Sequence, residues 1–516
     1  MKRRTTILFL AAASVLGAAA QGTSYEEFRR GMYERYNNFR EGMYERYDEF
    51  LAGAWADYEV IAGQKRSTAP KPRTAPRVPD APALTAPREI KAPALPAPEL
   101  SQSSAASSPG SPASPASQVA NPLLAPEGAR GVSRAKEQPS APSDQSDKSE
   151  SALLPPFEFD FYGMALRIPD PGLEIPRTVV DKQDLAARWR ALRKDSKARE
   201  ALASLRALAA ELKLNDYLTL ELVRSYVAAR HPGAGSASRA SLAHFLLVGM
   251  GYDVRLGITG DRDGVLLVPL RQDVAEHPFL KLDGQKYYLF MDKKLGKSDY
   301  ARTTISTCDV TPDGTLAQVD CALTDLNLPY KPHHYKVDNG TLHIEGEINA
   351  NIFPVLRRYP LMQTGDFARS TVQPQVRREI VEQLAAQLRD KPRAQAVDEL
   401  LKFIQSGFDY ATDEEFHGYE KPYFLEENLF YPKNDCEDRA IFYTYMLWNV
   451  LGIPNHLIAY PGHESASLVL DDLPAGDSYT YEGRRYLISD PTYIGASTGQ
   501  CMPAYLNASP VIDNTY

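Results

Sequence analysis

Three short stretches near the carboxy-terminal end decide how this chain is read: NDCEDRA at 434–440, YPGH at 460–463 and ISDPTYIGA at 488–496. The first opens a helix. Asn434 and Asp435 are good caps, Glu437 and Asp438 fall in the first turn where acids are favoured, and Gly452 and Pro454 stop the helix after about Val450. Cys436 therefore stands at a helix N-terminus, where backbone N–H groups and the macrodipole favour a thiolate. HLIAY is a short apolar strand, His463 enters a second strand from a turn, and RRYLISD is a third that ends at Asp490 because Pro491 stops it. Cys436, His463 and Asp490 follow one another at intervals of 27 positions. A cysteine nucleophile needs a base to hold it as thiolate, and the base needs an acid to fix its tautomer and orientation. A helix start and two adjacent strands can supply those three groups.

Upstream of Cys436, residues 375–390 and 395–407 have helical periodicity, and a loop rich in aromatic and charged residues follows. Taken in order, NDCEDRA, YPGH and ISDPTYIGA resemble the transglutaminase-like superfamily, a branch of the papain-like fold. The longer runs GYEKPYFLEENLFYPKNDCEDRA and DPTYIGASTGQCMPAY are similar to its bacterial exported members. The resemblance covers 375–516. It implies an α+β fold with the cysteine helix packed on an antiparallel sheet, a nucleophile at Cys436, a base at His463, an orienting carboxylate at Asp490, and no cofactor. His456 lies in an apolar strand and reads as core or edge. His417, in the loop before the nucleophile, could line the cleft. Glu437 and Asp438 read as serving the helix start. The oxyanion hole would include the Cys436 N–H, with Asn428 and Tyr431 as weak candidates for its second donor. A metal held by Cys436, His463 and Asp490 is possible by ligand type, but no paired ligand spacing supports one.

The stretch 181–300 echoes this domain. LELVRSYVAARHP parallels ELLKFIQSGFDYA, SASRASLAHFLLVGMGYDVRLGI parallels CEDRAIFYTYMLWNVLGIPNHLI, and DGQKYYLFMDKKLG parallels EGRRYLISDPTYIG. The alignment puts Ser236 opposite Cys436 and Asp292 opposite Asp490. The place of the histidine falls near Arg262 to Gly264, where there is none. Residues 153–300 thus read as a degenerate transglutaminase-like copy. A β-rich segment, 301–374, separates the copies, with hairpins expected around Thr311–Gly314 and Asn339–Gly340. Phe157 to Ile168 can supply a further strand. Cys308 and Cys321 flank the first turn and are a natural disulfide pair in an oxidising compartment, leaving Cys501 as a buried thiol.

The amino-terminal part is organised differently. Lys2, Arg3 and Arg4 precede an apolar run from Ile7 to Ala20, the pattern of a signal peptide at 1–20. Residues 21–61 form an arm containing repeats of eleven residues, YEEFRRGMYER, YNNFREGMYER and YDEFLAGAWAD. Tyr, Phe and Met recur there at helical spacing, as an amphipathic or coiled-coil stripe that needs a partner surface. Residues 62–152 are rich in Ala, Pro and Ser, and no Phe, Trp or Tyr lies between Tyr58 and Phe157, so this tract is expected to be a disordered linker.

The whole chain has 516 residues, 43% of them hydrophobic, and a net charge of −8. This excludes a collagen or a multispanning membrane protein and leaves no basic footprint for nucleic acid. The expectation is an exported, periplasmic or secreted, cysteine-dependent enzyme that cleaves or transfers the acyl group of a peptide or protein amide. The arm would bind an envelope protein or a second copy. The rival expectation is a scaffold or binding protein whose triad is idle.

Overall fold

In the computed structural model the described residues are 55–66, 69–78, 86–93, 155–293, 297–300, 302–308, 316–472 and 475–516. The leader, the repeats up to residue 54 and most of the Ala/Pro/Ser-rich tract lie outside them. Among the described residues no helix is long and apolar enough to cross a membrane.

Two strands come from the segment read as arm and linker: β1 (Trp55–Glu59) and β2 (Pro87–Glu89). The hairpin of β3 (Pro156–Phe161) and β4 (Met164–Pro169) turns at Tyr162–Gly163, both with positive φ, and alternates Phe159, Phe161, Met164, Leu166 and Ile168 inward. Three helices follow, α1 (Lys182–Lys194), α2 (Ser196–Glu211) and α3 (Asp216–Arg230). They are capped by Asp181, Asp195 and Asn215, each side chain accepting a backbone N–H two or three residues on. Next, α4 (Ser236–Met250) is buried on nearly every face and ends at the left-handed Gly251.

The strands β5 (Arg255–Thr259), β6 (Gly264–Val268), β7 (Phe279–Leu282), β8 (Gln285–Phe290) and β9 (Thr304–Cys308) then form an antiparallel sheet with β1, in the order β1-β9-β5-β6-β8-β7. A hairpin of β10 (Pro332–Asp338) and β11 (His343–Asn349) turns at Asn339–Gly340, as its sequence predicts. Two helices, α5 (Pro374–Leu388) and α6 (Arg393–Gly407), lead to the short parallel pair β12 (Asp409–Tyr410) and β13 (Lys433–Asn434). The cysteine helix α7 (Cys436–Leu451) is followed by β14 (Asn455–Tyr460), β15 (His463–Leu468), β16 (Gly476–Tyr481), β17 (Arg484–Ser489) and β18 (Val511–Thr515). Their sheet runs β18-β14-β15-β17-β16-β2.

The two sheets share one topology. In each, the fifth strand of the unit pairs with the first, then come the second, the fourth and the third. In each, a buried helix precedes the first strand and packs on the second. The duplicated order read from sequence between 181 and 300 is therefore present as architecture. Helices combined with antiparallel sheets make the fold mixed α and β, in keeping with the α+β class. One apolar core runs through both units, from Phe161, Trp189 and Phe245 to Leu401, Phe442 and Leu457.

Three readings change. Residues 55–59, assigned to the helical arm, are a strand, because β9 would otherwise leave an open sheet edge and β1 satisfies it. Within the tract 62–152, residues 62–66, 69–78 and 86–93 are placed against the body, and β2 extends the downstream sheet in parallel beside β16. The expected turn at Thr311–Gly314 lies outside the described residues, and the segments on either side of it do not pair: both edges of β9 are taken by β1 and β5, and the chain from residue 316 bridges through Ala317 to Tyr252 and through Val319 to Leu270. Cys321 is accordingly a free buried thiol and not the partner expected for Cys308.

A buried ion pair ties α5 to the loop before the cysteine helix. Arg377 Nε lies 2.7 Å from Glu426 Oε1, and both side chains are almost fully buried. Glu426 also accepts the N–H groups of Val372 and Gln373. Burial alone would raise the Glu426 carboxyl. The Arg377 guanidinium outweighs it and holds the group below its usual range. The pair's contribution is complete above the unfolded carboxylate range and is lost as pH falls through the lowered folded value. Glu426→Ala should lower stability by roughly 3–5 kcal/mol at neutral pH, since it strands a buried guanidinium. Thermal melts of variant and parent at neutral pH and at about pH 2 check this: the gap should narrow in acid.

Candidate active site

The amino end of α7 is built by carboxylates. Asp438 Oδ2 accepts the Asp435 N–H at 3.1 Å, and its Oδ1 accepts the Tyr423 N–H at 2.7 Å, which ties the preceding loop to the helix start. That is the structural role its position suggested. Glu437 does something else: its Oε2 accepts the Cys436 thiol at 3.1 Å. Cys436 is 1% exposed. Burial, then the Glu437 and Asp435 carboxylates, push its thiol well above the ordinary value, with Lys71 acting the other way. The thiolate expected from the helix N-terminus is thus not favoured in this arrangement.

His463 is set by a turn. Pro461 and Gly462 join β14 to β15, with Gly462 at φ 72°, the position where such a turn needs glycine, and Tyr460 pairs with His463 across it. His463 Nε2 lies 2.8 Å from Asp490 Oδ2, and both residues are buried. Asp490 is held in turn, because its Oδ1 accepts the N–H groups of Thr492 at 2.9 Å and Tyr493 at 3.2 Å. A carboxylate accepts only, so the ring proton sits on Nε2 and leaves Nδ1 as the basic nitrogen. His463 Nδ1 is buried and has no hydrogen-bond partner. The Tyr505 ring stacks on His463 at 5.2 Å and 10°, and it lies within electrostatic reach of both Cys436 and Asp490. The structure therefore joins His463 to Asp490 directly. Cys436 stands on the adjoining helix with its hydrogen bond given to Glu437.

The remaining candidates fall elsewhere. His456 Nδ1 meets the Tyr479 hydroxyl at 2.8 Å and its ring stacks on Tyr486, a core position as read. His417 Nε2 meets the Tyr423 hydroxyl at 2.6 Å in an aromatic cluster with Tyr431, and burial lowers it to about 4. Asn428 donates to Leu425 O at 3.3 Å and accepts the Asn434 amide at 2.7 Å, and Tyr431 lies in the aromatic cluster with His417 and Tyr423. Cys501 is a buried free thiol.

In the upstream unit, Ser236 also opens a buried helix. Its hydroxyl donates to Asp263 at 2.9 Å and accepts the Gly264 N–H at 3.3 Å, while Asp292 is paired with Arg239 at 2.8 Å. Where His463 begins β15, Gly264 begins β6. Ser236 and Asp292 thus each bond a polar side chain within the upstream unit.

Four contributors were not singled out in the sequence. Gln405, on α6, donates to the carbonyls of Asp490, Tyr493 and Ala496 at 2.9–3.1 Å and accepts the Gly495 N–H, so it fixes the loop behind Asp490. An amide inside an otherwise apolar helical stripe was its signal. Tyr505, Arg66 and Lys71 gave none. Arg66 and Lys71 arrive from the tract read as linker. Lys71 Nζ lies among Asp413, Glu420, Asp435 and Glu437. By ligand type, Asp413, Glu420 and Glu437 could hold a hard divalent cation, but the Lys71 ammonium fills their midst. No protein-family model, curated protein or solved structure matches the chain.

With Cys436 buried and its thiol held neutral, alkylation of the native chain near pH 7.5 should be at least about tenfold slower at Cys436 than at a free peptide thiol. Timed labelling with peptide mapping measures it. Fast labelling there would mean the thiol is open and ionised.

Proposed function

We propose that this chain is an exported cysteine-dependent acyl-transfer enzyme whose downstream unit, 375–516, is transglutaminase-like. The observation that carries the reading is His463, oriented through Nε2 by Asp490 and left with a buried, unpartnered Nδ1 on the strand against which the cysteine helix packs. Turning the Cys436 thiol from Glu437 toward Nδ1 would give the base its proton. The thiolate attacks an amide carbonyl, and the carbon–nitrogen bond breaks as His463 returns the proton to the leaving amine. Water, activated by the same nitrogen, then attacks the thioester and frees the acid and the thiol. The Cys436 N–H at the helix start is one donor for the oxyanion. Hydrolysis is preferred over transfer to an amine because water is always available. The basic leader would place the protein in the periplasm or outside the cell. The repeats at 25–54 would dock it on an envelope protein or a second copy, and the upstream unit would be a structural or substrate-binding partner.

A second reading has one observation in its favour. The thiol is bonded to Glu437 and held neutral, as an idle triad in a scaffold protein would allow. Kinetics separate the two. On a peptide amide turned over by the parent, Cys436→Ala, His463→Ala and Asp490→Ala should each lower kcat/KM by roughly 10²-fold or more with melting temperature little changed. Cys436→Ala/His463→Ala should be little worse than Cys436→Ala, because the groups act as a unit. Turnover by Cys436→Ala equal to the parent would remove Cys436 from the chemistry, and a parent that turns over no peptide amide would favour the scaffold.

A further inference from the structure

Residues 60–66 and 69–78 lie as a strap on both units. Ile61 exchanges hydrogen bonds with Phe279 at the edge of the upstream sheet, and Gln64 O accepts the Glu276 N–H. The carbonyl of Pro70 then packs on Gly462, next to His463, so closely that a Cβ at Gly462 would come within 2.7 Å of it. Tyr410 donates its hydroxyl proton to Pro72 O at 2.7 Å, and Pro76 and Val78 bridge to Ile494, beyond Asp490.

The strap is surface-lying, yet two of its side chains turn inward. Arg66 donates to Thr364 Oγ1 and lies 3.5 Å from Glu420 and 3.6 Å from Glu437. Lys71 Nζ lies 2.9 Å from Asp435, 3.0 Å from Glu420, 3.3 Å from Asp413, and against the same Glu437 that accepts the Cys436 thiol. One ammonium, from a segment more than 300 positions away in sequence, meets four carboxylates that converge beside the candidate nucleophile. A groove of about 990 Å³, lined by Arg66, Pro70, Lys71, Thr412, Glu415 and Glu420, opens along it.

We infer that the acidic pocket of Asp413, Glu420, Asp435 and Glu437 is a recognition subsite for a lysine-type primary ammonium on the substrate, and that residues 69–73 occupy it with Lys71 as a built-in competitor. This rests on the reading of Cys436 as the acylated group. Three features support it. The occupant is itself a lysine in an extended stretch, with its Pro-flanked backbone laid past Gly462 as a peptide would be. Its proton count fits recognition rather than attack: burial would lower the ammonium, but Glu437, Asp435 and Asp413 outweigh it and raise it, so the amine is charged and not nucleophilic. And the same segment that fills the pocket packs on Gly462 at the turn into His463, so one strap contacts both the acidic pocket and the turn that sets the histidine.

The test uses full-length chains. Nα-acetyl-lysine methylamide and its norleucine counterpart are titrated calorimetrically into Cys436→Ala and into Cys436→Ala/Lys71→Gln. The lysine probe should bind the second protein at least about tenfold more tightly than the norleucine probe, and more tightly than it binds the first. Equal binding of the two probes, or equal binding of the lysine probe with and without Lys71, overturns the inference. A charge-balanced variant, Lys71→Gln/Glu420→Gln, removes one carboxylate with the ammonium and serves if the single change does not fold. Turnover of lysine and norleucine amides by Lys71→Gln separates this inference from the one beneath it. Lysine-selective binding together with Cys436-independent turnover keeps the subsite and removes the cysteine mechanism. Cys436-dependent turnover with no lysine preference does the reverse.

Discussion

Carboxylates buried at the amino end of the cysteine helix impose the constraint on which the rest of the site depends. Asp413, Asp435, Glu437 and Asp438 are each 3% exposed or less, and they sit within a few residues or one loop of Cys436. Charged groups cannot be taken out of water unless they are paired or take up protons. Burial and mutual repulsion raise Asp413, Asp435 and Asp438, and the first two share the Lys71 ammonium. Glu437 alone is lowered: Lys71 and Arg66 outweigh its burial. The strap is therefore the counter-charge that lets this helix start exist in a dry site. The loop through Tyr423, held by Asp438, and the helix α5, held to that loop by Arg377 and Glu426, follow from the same anchoring.

What could be read in the sequence was what carries local punctuation. The helix from Cys436 was legible because Asp435 caps it and Gly452 ends it in a left-handed conformation. The entry of His463 and the end at Asp490 were legible because Pro461–Gly462 and Pro491 admit few backbone paths. Long-range pairing had no such marks. Trp55–Glu59 continues an apolar helical stripe in sequence, yet it is a strand because the β9 edge, some 250 positions away, needs a partner. The Ala/Pro tract offers no side chains for a core, which reads as disorder. It docks by another route, with backbone hydrogen bonds to Ile494 and Phe279 and two cations sent inward.

The duplicated topology shows one frame carrying different side chains at its rims. The frame requires a buried helix on the second strand of a five-strand pattern, and both units have it. The chemistry requires three particular side chains at the rims of those elements. In the upstream unit the rim positions are engaged by neighbouring side chains: Ser236 donates to Asp263, and Asp292 accepts from Arg239. These are ordinary solutions for polar groups at a helix start and a strand end. The shared order is therefore legible from the pattern of elements, and the difference between the units from individual residues.

The thiol of Cys436 shows which effect wins when two rules conflict. A helix N-terminus stabilises an anion by about 0.3–1 kcal/mol, up to about 2 in buried geometry. A full negative charge 4 Å away opposes it by about 4 kcal/mol even at an effective dielectric constant of 20. Glu437 is nearer than that, and Asp435 adds to it. The dipole therefore cannot ionise the thiol while Glu437 faces it. Ammonium alone does not reverse the balance either, because Lys71 already sits on Glu437 and the thiol is still held neutral. In this arrangement the thiol donates to Glu437, and an anion at Cys436 would require that contact to be given up.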